Sequence, residues 1–227
     1  MKQKLHVYFL GAILLVGLLT IFSYGCYLDE ISEQEIAFAN IKEYLIRFGL
    51  EDTQLVQDLT EFGVVEISVN KEMDHGMAVY YPAFPVWYIN QVSPYWGSVF
   101  WHVYTFLIAF WGMCSLFFLG KELFGNEKLA GFLVLLFFLT PRMFAESHYN
   151  NKDIVLLSLL FSMLYYGYRL VKKPTFTNVF LLAFVGALAT NMKIVGAWMF
   201  GIIGLYCLGY FIARNKHSHR RRIYKAA

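Results

Sequence analysis

The sequence predicts an all-α polytopic membrane protein, with about six transmembrane helices and an amphipathic surface helix in the first outer loop. Two observations carry this prediction. Hydrophobic residues make up 58% of the 227 residues and charged residues only 15%, against about 25% charged residues in an average soluble domain. The mean hydropathy is +0.49. This composition excludes a disordered chain, a disulfide-rich secreted scaffold and an ordinary cytosolic enzyme.

Six apolar stretches are the predicted spans, because a bilayer core of about 30 Å needs about 20 apolar helical residues. The first follows Lys2 and Lys4 and is interpreted as an uncleaved anchor, since its apolar run is long for a signal peptide. Pro141 should kink or end the third helix. The six predicted spans cover residues 5–21, 99–119, 129–144, 154–171, 178–190 and 194–213.

Basic and acidic residues are distributed unequally between the segments that join these spans. With the N-terminus inside, 13 of the 19 Lys and Arg residues fall in inner segments and 14 of the 16 Asp and Glu residues in outer segments. The positive-inside rule then predicts that both termini are cytoplasmic and that the acidic face lies outside. Residues 1–213 form one transmembrane module with an outer loop at 25–98. The basic tail at 214–227 is expected near anionic lipid heads, not on nucleic acid.

The outer loop begins with a pattern typical of an amphipathic helix. Ser32 and Glu35 have the spacing of a capping box, and Gly49 stands where the helix should stop. One face is apolar, which favours a helix lying along the membrane surface. That face carries Ala37, Ile41, Tyr44, Leu45 and Phe48. The polar face carries Glu35, Lys42, Glu43 and Arg47. A second short helix is predicted over 54–62, followed by a strand-like alternation over 65–69.

Three charged residues stand at the predicted outer boundary of the membrane. Asp29 and Glu30 follow the first span by a few residues, and Lys193 lies in the tight turn between the last two spans. Two interpretations of the acidic pair stay open. It is an acidic helix start favoured by the helix macrodipole, or it supplies a catalytic carboxylate that acts as general base. A charge at this depth is usually functional or paired.

The triplet Asp74-His75-Gly76 is followed by seven aromatic residues between Tyr80 and Trp96. The triplet is interpreted as a turn or as part of a substrate-binding site. The aromatic rings form an interfacial belt, or they stack on a sugar or cover a lipid chain. The sequence alone does not separate these alternatives.

The segment 141–153, between the third and fourth predicted spans, has more polar side chains than a connecting turn needs. Arg142 and Lys152 are candidates to hold a phosphate, with His148 as a further substrate contact and Asp153 as a catalytic carboxylate beside them. Asp153 also stands in the first turn of a predicted helix, where an acid stabilises the helix end.

These residues resemble the GT-C fold membrane glycosyltransferases, most closely the protein O-mannosyltransferase and aminoarabinose-transferase type. The Asp29-Glu30 pair is similar to the D-E motif of their first outer loop. Residues 74–79, D-H-G-M-A-V, resemble the D-Y-G-V-A-F block of a bacterial branch of that superfamily. The pattern P-R-x-F-A-x-S-x-Y-N-x-K-D at 141–153 resembles the P-R-x-F-A-x-S-F-x-N-x-K-D block of the same branch and is the most specific match. Order and spacing agree over most of the chain.

The resemblance implies a polyprenyl-phosphate-linked sugar as donor, used on the outer face of a bacterial plasma membrane. It maps Asp29 onto the catalytic base, Asp153 onto the second acidic position and Lys193 onto the residue that contacts the donor phosphate. Some relatives use a divalent metal, for which Asp29, Glu30, His148 and Asp153 are the candidate ligands here, although no spacing requires one. Relatives usually carry more spans, so the chain is expected to be a fragment, a minimal homologue or a degenerate protein.

Non-enzymatic interpretations also stay open: a transporter, a lipid- or solute-binding subunit, or a structural membrane subunit. The short inner loops contain no P-loop and no G-x-G-x-x-G motif, which argues against an ATP-driven pump. Charges cluster at the outer boundary and leave the middle of the spans nearly charge-free. This distribution favours chemistry at the membrane surface over transport through the spans.

Overall fold

The computed structural model describes residues 5–69 and 76–226, and every regular element within them is helical. Three short 3₁₀ helices stand in the connections, at Ile21–Ser23, Ile67–Val69 and Ala78–Ala83. The α-helices of the described residues are α1 (Leu5–Thr20), α2 (Glu30–Arg47), α3 (Gln54–Glu61), α4 (Val86–Val92), α5 (Pro94–Phe124), α6 (Glu127–Leu139), α7 (Pro141–Tyr149), α8 (Asp153–Lys172), α9 (Phe176–Met192) and α10 (Ile194–Ala226).

Four helical segments are long and apolar enough to cross a membrane, and each coincides with a predicted span. They are α5, α8, α10 and the segment His6–Ser23, in which α1 continues into the 3₁₀ turn that follows it. Together α6 and α7 make a fifth candidate, with a bend of 74° between them. The apolar helix α9 has 17 residues, or about 25 Å at 1.5 Å per residue, which is less than the hydrocarbon core. The described residues therefore hold four or five candidate spans, and the predicted count of about six is not confirmed.

The predicted break at Pro141 is confirmed. Helix α6 ends at Leu139, and Pro141 takes the first position of α7. Proline has no backbone N–H to donate to the preceding turn, whereas the first turn of a helix requires none. Because of this break, α7 does not continue in the direction of α6, and the charged segment 141–153 lies at the end of the bundle.

Helix α5 is the centre of the bundle, and α4, α6, α7 and α8 pack around it. Gly112 allows the closest approach of α8, because an added Cβ would lie 2.5 Å from the Cβ of Ser158. Near it, the hydroxyls of Ser115 and Ser162 are hydrogen-bonded at 2.9 Å. Small residues and paired hydroxyls hold helices together where the surrounding solvent is itself apolar.

The outer loop confirms two sequence predictions and corrects two others. Gly49 has φ 73°, the left-handed conformation that ends many helices, and α3 lies where the second short helix was predicted. The capping box at Ser32 is wrong, since α2 already begins at Glu30. The strand at 65–69 is also wrong. A single strand has nothing to pair its backbone groups with, and this segment makes a 3₁₀ turn.

Helix α2 turns polar side chains inwards. Glu33 and Lys42 are buried, whereas Tyr44 and Phe48 of the predicted apolar face are 46% and 77% exposed. The assignment of Lys42 to the outward polar face is therefore wrong, because its ammonium donates to the carbonyl oxygen of Val64 at 2.8 Å. The partners of these buried polar groups lie far away in the sequence. The periodicity of the α2 sequence therefore could not predict that the groups are buried.

Candidate active site

The charged side chains of the helix bundle collect at its two ends. The site end carries Asp29 and Asp153, and the tail end carries Lys121 and Glu127. Helix α1 runs between them, with its first turn near the tail end and its last turn against α7 at the site end. The predicted site residues that the structure describes all lie at the site end.

Glu30 is fully buried, and its carboxylate accepts three hydrogen bonds. The donors are His102 Nε2 at 2.9 Å, Gln34 Nε2 at 3.2 Å and the backbone N–H of Tyr27 at 3.3 Å. His102 is only 1% exposed and belongs to α5. Asn90 of α4 donates in turn to Gln34 at 2.8 Å. This network fixes the first turn of α2 against α4 and α5, and Glu30 acts within it as a buried anchor.

Asp29 differs from its neighbour because its side chain is exposed. It occupies the N-cap position of α2 but makes no capping hydrogen bond, so its carboxylate faces outwards at the positive end of the helix dipole. Lys152 lies within its electrostatic reach. Burial lowers the pKa of the Lys152 ammonium, and the negative charge of Asp29 acts in the opposite direction.

Glu33 is a further buried carboxylate that sequence reasoning missed. It lies four residues from Asp29, so both occupy one face of α2, and it forms an ion pair with Lys152. Glu33 is fully buried and Lys152 is 18% exposed at its side chain. The signal in the sequence was the i, i+4 spacing of Asp29 and Glu33, which places two carboxylates on one face of the helix. Lys152, predicted to bind substrate, therefore also ties α2 to the start of α8.

The structure brings the predicted residues Asp153 and Lys193 together. The distance from Asp153 Oδ1 to Lys193 Nζ is 2.5 Å, and the side chains remain 60% and 30% exposed. Asn150 accepts hydrogen bonds from the backbone N–H groups of Lys152 and Asp153 at 3.1 and 2.8 Å. It thereby sets the start of α8, and the exposed pair stays within reach of a substrate.

Gly76, the last residue of the D-H-G triplet, and the segment after it adjoin the turn between α9 and α10. The backbone N–H of Gly76 donates to the carbonyl oxygen of Asn191, and that of Ala78 to its side-chain oxygen, both at 2.9 Å. A Cβ at Gly76 would lie 2.3 Å from the Asn191 side chain, so a larger residue here would displace that side chain. Asp74 and His75 themselves lie outside the described residues.

Arg142 and His148, both predicted to contact substrate, have different environments. Arg142 is exposed and its Nε donates to Glu146 at 2.8 Å. His148 has no exposed surface. It stacks between Tyr24 and Phe106, at ring-centroid distances of 4.7 and 5.1 Å. Arg142 therefore remains available to a ligand, whereas the contacts of His148 hold α7 against α5 and the end of α1.

A divalent metal was one expectation for this site. Within residues 5–69 and 76–226, no three His, Cys, Asp or Glu side chains are grouped closely enough to hold one. The carboxylate of Glu30 is occupied by its hydrogen-bond donors, and Asp153 is paired with Lys193. The residues that the structure describes therefore offer no set of metal ligands.

Comparison with known families identifies the chain. The model of the family described as dolichyl-phosphate-mannose-protein mannosyltransferase matches residues 81–226, which is more than half of the chain. The chain belongs to this family. No curated protein and no solved structure matches it.

Membership confirms the predicted GT-C type of membrane glycosyltransferase. The apolar helices agree with it and make the protein an integral membrane protein. The matched region contains Arg142, Lys152, Asp153 and Lys193, whereas Asp29 precedes it. The assignment of Asp29 therefore depends on the site geometry and on the D-E motif. His102, which the sequence analysis also missed, lies inside the matched region and ties the two parts together through Glu30.

Proposed function

We propose that this membrane glycosyltransferase moves a sugar from a polyprenyl-phosphate donor to an acceptor on the outer face of the membrane. The observation that carries the proposal is the exposed carboxylate of Asp29, held at the start of α2 within electrostatic reach of Lys152 in a member of this family. Lys193 is partly exposed and Arg142 is exposed, and Lys152 interacts electrostatically with both Asp29 and Asp153.

The proposed step is a single displacement at the anomeric carbon of the sugar. Asp29 takes the proton of an acceptor hydroxyl, and the acceptor oxygen forms its bond to the sugar. The bond from that carbon to the phosphate oxygen breaks, and its electron pair leaves with the lipid phosphate. Lys193, with Arg142 near it, stabilises the charge that develops there. Asp153 keeps Lys193 in place.

The membrane supplies the setting for this step. The proposed orientation places both termini in the cytoplasm and the site end outside. It follows from the positive-inside rule, because most Lys and Arg residues lie in the segments away from the site end. The exposed apolar side chains of α2, among them Tyr44 and Phe48, would then rest on the outer leaflet, as an amphipathic helix does. A bacterial plasma membrane is the proposed location.

The test is sugar transfer from polyprenyl-phosphate mannose in membranes that contain the protein. Asp29→Asn keeps the shape of the side chain but removes the base, so the rate should fall by about 10²–10⁴-fold. Glu43→Gln is the matched control, because Glu43 lies on α2 in an exposed i, i+4 pair with Arg47. Its rate should equal that of the parent. Transfer by Asp29→Asn at the parental rate would show that Asp29 is not the base.

A further inference from the structure

A polar cavity of about 240 Å³ lies at the tail end of the bundle, between the last turns of α5 and α8. The side chains that line it are those of Glu122, Tyr165, Tyr168, Arg169, Lys172 and Lys173. Three of them are cations and one is a carboxylate, which leaves the cavity with a formal charge of +2. A cavity of this composition favours an anionic ligand.

Aromatic rings hold the cations of this cavity in place. The guanidinium carbon of Arg169 lies 5.7 Å from the ring centroid of Tyr165, and Lys172 Nζ lies 5.4 Å from that of Tyr168. Such a ring attracts a cation without neutralising its charge. In the part of the chain that the structure describes, no Asp or Glu forms an ion pair with Arg169, Lys172 or Lys173. Their charges are therefore available to a ligand.

The end of α8 is also prepared for a negative charge. A helix C-terminus repels an anion, because its free carbonyl groups carry partial negative charge. Here the buried amide of Asn178 donates to the carbonyl oxygens of Lys173 and Arg169, at 2.7 and 3.5 Å. The Tyr168 hydroxyl donates to the carbonyl oxygen of Glu122 at 3.4 Å and joins the ends of α8 and α5. These bonds reduce the repulsion and give the cavity fixed walls.

The position of the cavity along α8 corresponds to the depth of phospholipid headgroups. Arg169 is the first charged residue after Asp153 and follows it by 16 positions. At 1.5 Å per residue this is about 24 Å, close to the thickness of the hydrocarbon core. Leu123, next to the lining residue Glu122, is 56% exposed, and Phe176 at the start of α9 is 84% exposed. The acyl chains of a lipid would cover such side chains, whereas a water-soluble anion would not.

We infer that this cavity binds the phosphate of an anionic membrane phospholipid, at a site separate from the one that handles the donor. A volume of about 240 Å³ corresponds to about eight water molecules at about 30 Å³ each, which is room for a phosphate and a small polar headgroup. Arg169 offers paired N–H donors to the phosphate, and the two lysines add their charges. In the proposed orientation the lipid belongs to the cytoplasmic leaflet, where anionic lipids concentrate. The bound lipid ties the end of α5 to the end of α8.

The test uses the purified full chain, freed of lipid in an uncharged detergent. It is titrated with phosphatidylglycerol, and with phosphatidylcholine as the zwitterionic comparison. Thermal unfolding gives the Tm, and native mass spectrometry counts the lipids that stay bound. Phosphatidylglycerol at about 100 times its Kd should raise the Tm by about 5 °C or more, and phosphatidylcholine should leave it unchanged. Glycerol phosphate, the soluble counterpart of the headgroup, should not displace the bound lipid.

Two triple variants each remove three positive charges, from different places. Arg169→Gln, Lys172→Gln and Lys173→Gln together should weaken phosphatidylglycerol binding by about 100-fold, since each Lys or Arg near an anionic surface contributes about fivefold. Replacing residues 220–222, all Arg, by Gln changes the net charge equally in the basic tail and should leave binding at the parental level. If the first variant has a lower Tm than the parent without lipid, the double variant of the exposed Lys172 and Lys173 replaces it, with an expected loss of about 25-fold.

Three results would each overturn the inference. They are equal stabilisation by the two lipids, displacement of the lipid by glycerol phosphate, and a loss of binding in the tail variant as large as that in the cavity variant. Sugar transfer is not measured in this experiment, so its outcome does not depend on the proposed function.

Discussion

Two lysines form ion pairs of the same kind at opposite ends of the helix bundle. Lys193 meets Asp153 at the site end and Lys121 meets Glu127 at the tail end, and the Nζ–O distance is 2.5 Å in both. Their surroundings differ. Two further carboxylates of α2 are fully buried at the site end, one paired with a histidine and one with a lysine. The carboxylate at the tail end is 38% exposed.

This difference separates charged side chains that the fold holds in buried, fixed positions from charged side chains that it leaves exposed to solvent. An exposed pair contributes little to stability and needs little support from its neighbours. A buried pair must be desolvated, and it is weak evidence for stability because apolar residues would often do as well. The buried pairs at the site end join α2 to α5 and to the start of α8. We interpret them as positioning contacts for Asp29, which directly precedes Glu30 at the N-cap of α2.

The largest expected effect is an all-or-none difference in access from outside the cell. Cysteines are placed singly at Ser68 in the outer loop and at Lys173 after α8, both exposed positions, in a Cys26→Ser background. A membrane-impermeant thiol reagent applied to intact cells should label the first position and not the second, because the proposed orientation places Ser68 outside the cell and Lys173 inside. Labelling at position 173 in intact cells would contradict the orientation.

The next largest expected effect is on the free energy of unfolding, and it compares the loss of a buried carboxylate with the loss of an exposed one. Glu30→Ala leaves His102 buried without its partner, and breaking a buried pair in this way costs about 3–5 kcal/mol. Denaturant unfolding of the purified protein in detergent measures the loss. Glu127→Ala at the tail end is the comparison, and its unfolding free energy should stay close to that of the parent. Equal losses in the two variants would mean that the two ends do not differ as described.

The sequence predicts those parts of the fold that depend on local chemistry. Pro141 breaks a helix because it lacks an N–H, Gly49 ends one because it accepts a positive φ, and apolar length predicts the four candidate spans. Each of these signals lies within the element that it describes.

The inward face of α2 could not be predicted in the same way. Its buried acid Glu30 meets His102, 72 residues away, and Glu33 meets Lys152 at a still greater separation. Periodicity within the helix carries no record of such partners. The family resemblance assigned Asp153 and Lys193 to one site, but it did not predict that the two side chains contact each other.

The two matched lysines test the central claim, that only the site end handles the phosphate of the donor. Lys193→Ala and Lys121→Ala are compared by the initial rate of transfer from polyprenyl-phosphate mannose, over a range of donor concentrations and at equal amounts of protein. Loss of a charged hydrogen-bond donor costs about 1.5–3 kcal/mol, so kcat/KM of Lys193→Ala should fall by about 10- to 100-fold. Most of the change should appear in KM, and Lys121→Ala should match the parent. Equal loss in both variants, or loss only in Lys121→Ala, would contradict the account.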